Sequence, residues 1–195
     1  MSSDGEKNGD AQRFEGITMT GRMCYIFMCI ERFLLHLNPE RDWKPVSERM
    51  WGWTRYPCWN DDGWYEFGAV KPANILKCKS IEDMDCVYSP LITQEEFDRV
   101  VALYHGLSTN DIDDINEVFS IPLTMCNYCD GADFDIEEGR EITMDSIVSI
   151  ERILQTHSIP LPNISLLSDL TPQNAKGCEW GFGVDTGYLS IILNH

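Results

Sequence analysis

Between Asp111 and Asp145 the chain carries eleven carboxylates (Asp111, Asp113, Asp114, Glu117, Asp130, Asp133, Asp135, Glu137, Glu138, Glu141 and Asp145) against one base, Arg140. This stretch holds more than half of a formal net charge of −17. A field of one sign draws in partners of the other sign and speeds their capture, and it repels nucleic acid and anionic membrane. The partner that these residues point to is a basic protein. The contact candidates are Asp111, Asp113, Asp114, Glu117, Asp130, Asp133, Asp135, Glu137 and Glu138, joined by Trp59 and Trp64, which lie beside Asn60, Asp61, Asp62 and Glu66. Arginine suits such a setting, because it pairs with the acid and stacks on the ring. Stacking of nucleic-acid bases would need interleaved lysine or arginine, and this region is acidic. The competing reading is a solvated face that only keeps the protein soluble.

Other motifs carry less. Cys126-Asn-Tyr-Cys129 has the spacing of half a zinc site, but no second closely spaced pair completes it. A thioredoxin-like motif would sit between a strand and a helix, whereas this one follows a predicted helix. Asp133-Phe-Asp135-Ile-Glu137 starts like a calcium loop. The sixth and twelfth positions counted from Asp133 hold Glu138 and Met144, where that loop needs glycine and glutamate. Asp185-Thr-Gly187 is the aspartic-protease tripeptide without the second carboxylate and β-rich surroundings it requires. Gly181-Phe-Gly183 is a fragment of a nucleotide-binding pattern, and no serine elbow is present. The sequence thus offers no catalytic constellation, cofactor site or metal site. Two alternatives stay open beside the binding reading. One is a metal-dependent hydrolase built from the acids with His105 or His157. The other is an adaptor whose acidic face docks in a larger complex.

The elements that must position these residues follow from composition and periodicity. With 195 residues, 43% of them hydrophobic and 11% aromatic, the chain can fill one core despite its charge. Residues 1–17 read as a flexible N-terminal tail and 18–195 as a single domain. The first apolar run, Met23 to Ile30, is followed at once by Glu31 and Arg32 and its upstream flank is acidic rather than basic, so it reads as neither signal peptide nor membrane span. That points to the cytoplasm, where eight scattered cysteines are expected to stay reduced.

Thr18 to Leu37 reads as a central helix, with Met19, Met23, Ile26, Ile30 and Phe33 on one face. Asp42 is a candidate cap for a second helix that buries Val46, Met50 and Trp53. Tyr56 to Asn74 reads as irregular or short-helical. Thr93-Gln-Glu-Glu96 matches a capping box ahead of a helix that ends at Gly106. Another helix starts at Ser108 or Thr109, and Pro122 ends or kinks it. Asp130 to Arg140 reads as an acidic loop, Thr143 as the cap of a helix running to about His157, and Phe182 to Ile192 as a hairpin turning at Asp185-Thr-Gly187. The fold class expected is mainly α, a compact multi-helix domain of five or six helices with a small C-terminal β-hairpin.

The segment Met23-Cys-Tyr-Ile-Phe-Met-Cys-Ile-Glu-Arg-Phe33, followed by Leu37-Asn-Pro, Asp42-Trp-Lys-Pro-Val46 and Met50-Trp-Gly-Trp-Thr54, is similar to bacterial proteins of toxin–immunity loci. That resemblance implies a cytosolic inhibitor that binds and blocks a toxin domain, often a basic nuclease. It carries no binding residues with it. Carboxylates would meet the lysines and arginines that otherwise hold substrate phosphates.

Overall fold

The central helix, α1 (Met19–Leu37), is enclosed by its neighbours on nearly every side. The computed structural model describes residues 13–55, 61–126, 136–176, 181 and 187–194. Thr18 caps α1, its side chain accepting a hydrogen bond from the Gly21 amide. Beyond the expected stripe, Tyr25, Phe27, Met28, Cys29 and Leu34 are also buried, so the helix is apolar almost all round, as a fully enclosed helix must be.

The other helices are α2 (Lys44–Gly52), α3 (Asp61–Ala69), the single turn α4 (Pro72–Ile75), α5 (Gln94–Tyr104), α6 (Thr109–Cys126) and α7 (Ile136–Thr156), with short 3-10 turns between and after them. The domain is mainly α, and no strand occurs among the described residues. α1 packs chiefly along α7 and also against α6 and α2. An aromatic cluster closes the far side. Phe27 meets Trp51 edge-on at 5.5 Å, and Trp53 and Phe67 flank it at 6.1 and 6.2 Å. Each such side chain, taken out of water, contributes about 1.5–3 kcal/mol.

Several sequence readings need correction. Phe14, assigned to the tail, is fully buried against Tyr25, so the packed domain includes it. Trp43 rather than Asp42 is the cap residue of α2, although the Asp42 side chain still accepts from the Lys44 amide. Pro122 lies inside α6, which continues to Cys126. Burial of Leu123 and Met125 holds that last turn, and the Trp64 indole donates to the Leu123 carbonyl.

The largest difference concerns α7. It begins at Ile136, so residues 136–140 are helical rather than loop, and Thr143 is no cap. The Thr143 hydroxyl bonds back to the Arg140 carbonyl at 3.0 Å, a local bond that threonine makes inside helices as readily as it caps them. The acids read as loop-formers are instead favoured by the positive end of the helix dipole. Of the expected hairpin, residues 182–186 lie outside the described residues. Gly187–Leu189 forms a 3-10 turn, and the Ser190 hydroxyl and the Ile191 amide bond to Glu31.

Candidate binding surface

Charge is concentrated on α6 and α7, and the geometry of their starts sorts the acids into engaged and presented groups. At the start of α6, Ser108 and Asp111 satisfy each other's amides at 3.1 and 3.2 Å. Asp111 therefore serves the helix end first. Asp114 is half-buried, and Asp113 and Glu117 are exposed four residues apart on one face. On α7, Glu137 and Glu138 occupy the first turn and face solvent, and Glu141 and Asp145 continue the exposed run. Among the described residues, Asp113, Asp114, Glu117, Glu138 and Glu141 make no ion pair. Ion pairs among the described residues include Arg13 with Glu151 and Arg49 with Glu66 and Glu96. Asp130, Asp133, Asp135 and Trp59 lie outside the described residues.

Trp64 is half-buried. Its Nε1 donates to the Leu123 carbonyl at 2.8 Å and its ring meets Tyr65 edge-on at 4.7 Å. Both its polar group and its ring are engaged within the domain, so it ties α3 to α6.

Sequence reading overlooked the buried charges, although a glutamate and an arginine inside an apolar helix were a visible signal. Glu31 is fully buried and accepts from Trp51 Nε1 at 2.8 Å, from the Ser190 hydroxyl and from the Ile191 amide. Arg22 donates to the Thr143 hydroxyl at 3.1 Å and to the carbonyls of Arg140 and Phe14 at 3.3 and 3.4 Å. Tyr25 donates to Glu151 at 2.6 Å, and Arg13 reaches the other oxygen of that carboxylate at 3.2 Å. Each of these charges is held by several hydrogen bonds, which is what makes its burial tolerable.

This second cluster brings a thiol, a phenol and a carboxylate together, and it is not set up for catalysis. Burial, reinforced by the negative charge of Glu151, pushes the Cys29 thiol well above its ordinary pKa. A thiol held protonated is a poor nucleophile. Burial likewise raises the Tyr25 phenol, with Cys29 and Glu151 adding to the effect. Of the histidines, His105 is exposed at the end of α5, and His157 is packed edge-on against Phe33 at 5.2 Å. Among the described residues, no group of three or more His, Cys, Asp or Glu side chains could hold a metal ion. Cys24, Cys29, Cys78 and Cys86 carry free thiols. Cys129 and Asp185 lie outside the described residues.

Nor is any described helix long and apolar enough to cross a membrane. Compared with protein families, curated proteins and solved structures, the chain matches none.

Proposed function

We propose that this chain is an inhibitor of the immunity type, acting in the cytosol, which binds a basic toxin protein and blocks it by charge and by bulk. One observation carries the reading. Asp113, Glu117, Glu138 and Glu141 stand exposed on two adjoining helices, and among the described residues none of the four enters an ion pair. The similarity of residues 19–54 to proteins of toxin–immunity loci gives the partner its class. Exposed carboxylates of this density accelerate encounter with a basic surface and cover the lysines and arginines with which a nuclease would hold phosphates.

The test is capture of the tagged full chain co-expressed with the products of its neighbouring genes, followed by mass spectrometry. The expected result is one basic domain recovered at stoichiometric yield, whose toxicity the chain suppresses. Capture that yields no basic protein under low salt overturns the proposal.

A further inference from the structure

The last two turns of α6 lie beside the first half of α7, and between them runs an open groove of about 310 Å³ lined by Ile121, Thr124, Ile142, Asp145, Ser146 and Ser149. Two of its hydroxyls are already committed as donors. The Thr124 hydroxyl gives its proton to the Ser120 carbonyl at 2.7 Å, and the Ser149 hydroxyl gives its own to the Asp145 carbonyl at 2.7 Å. A hydroxyl has one proton to donate and two lone pairs to accept with. With the protons turned inward, Thr124 and Ser149 present acceptors to an incoming group, and Asp145 adds an exposed carboxylate. Ile121 and Ile142 supply apolar surface between them.

Acidic residues flank the groove on both helices. Helical spacing puts Glu117 one turn before Ile121 on α6, and Glu138 and Glu141 one turn before Ile142 and Asp145 on α7. All three are exposed. Arg152 follows one turn beyond Ser149 and bounds the acceptor-lined stretch.

We infer that this groove receives an arginine side chain of the basic partner. The inference rests on the basic-partner reading and deepens it by naming where contact is made and by what. A guanidinium carries five donors and no acceptor, is planar, and is weakly hydrated compared with an ammonium. Acceptors on two helices with isoleucine between them match that profile. An anion would meet Asp145, and a neutral donor would forgo the field of Glu117, Glu138 and Glu141.

The test is an amide-resolved NMR titration of the full chain with the blocked tripeptide Gly-Arg-Gly and, separately, with its citrulline counterpart, which keeps the shape and loses the charge. Expected are saturable shifts at residues 121–124 and 142–149 with arginine and none with citrulline. Asp145→Asn should weaken that binding roughly tenfold, the equivalent of one charge-assisted hydrogen bond, and Thr124→Val should weaken it less. The unperturbed remainder of the spectrum reports that each variant is folded. Shifts centred on Asp113 and Glu117, or shifts that never saturate, overturn the groove and leave the basic-partner reading standing. Absence of any shift with arginine also overturns the groove, while capture of the partner judges the wider reading independently.

Discussion

Glu31 on α1 and Ser190 near the C-terminus meet in the core, where the Ser190 hydroxyl donates to the Glu31 carboxylate. The same carboxylate accepts from Trp51 and from the Ile191 amide at 2.7 Å, so one buried anion joins α1, α2 and the C-terminal segment. Glutamine keeps the shape but offers one acceptor oxygen where three donors converge. Glu31→Gln should therefore cost about 1–3 kcal/mol, the penalty of a buried donor left without a partner, and Glu31→Ala more. Urea denaturation checks this, with the C-terminal amides expected to lose hydrogen-exchange protection before the rest. Unchanged stability in Glu31→Ala would show that the three bonds contribute nothing net.

That anchor also marks where sequence reading stops. The helices of α1, α5 and α6 were legible because their signals are local: Thr18 and Thr93 cap, Gly106 takes a φ of +80° at the stop, and apolar residues recur at helical steps. The exposed acids were legible as composition, and Asp113 and Glu117 stand exposed on α6. Contacts such as Glu31 with Ser190 and Arg22 with Thr143 join residues 159 and 121 positions apart, and no local pattern encodes them. The start of α7 was misread for a related reason. A run of acids with Gly139 has a loop-like composition, and what makes it helical is its place at a helix N-terminus packed on α1.

Tyr104 is fully buried with its hydroxyl donating to the Val70 carbonyl at 2.7 Å, and burial raises its pKa above the ordinary 10.0. In the unfolded chain the phenol ionises near 10 while the native chain keeps its proton, so stability is fully present below that pH and falls above it. The slope is about 1.4 kcal/mol per pH unit for such a group. Tyr104→Phe should accordingly cost about 1 kcal/mol at neutral pH and nothing by about pH 11, where the variant overtakes the parent. Denaturation midpoints of both proteins across that range decide it. A cost that stays constant with pH would mean that Tyr104 ionises in the native state.

Glu117 lets stability and binding be separated. It stands four residues after Asp113 on the exposed face of α6, and like charges at that spacing disfavour the helix by about 0.2–0.5 kcal/mol. Glu117→Lys replaces the repulsion with attraction and should stabilise the chain by about 0.5 kcal/mol. It should also slow association with a basic partner several-fold, with little change in dissociation, an effect that shrinks as salt screens the field over about 10 Å. Stopped-flow association at two ionic strengths is the measurement. Equal association rates for parent and variant at low salt would remove α6 from the binding surface.

Gly63 and Gly52 form a matched pair in which steric contact and helix propensity oppose each other. Alanine favours a helix interior over glycine by about 1 kcal/mol. At Gly63, in α3, the added Cβ would come within 2.0 Å of Trp53 Cδ1 and 3.0 Å of its Cα. Trp53 is fully buried beside Phe27 and Phe67 and has nowhere to move. Overpacking of this kind costs about 1–3 kcal/mol or more, so it outweighs the propensity gain, and Gly63→Ala should lower stability by about 2 kcal/mol. At Gly52, the last residue of α2, nothing lies within 4 Å of the added atom, so Gly52→Ala should be neutral or stabilising by up to about 1 kcal/mol. Chemical denaturation of the two variants side by side tests both. If Gly63→Ala proved as stable as Gly52→Ala, the close approach of α3 to Trp53 would be wrong, and with it the packing that fixes Trp64 against α6.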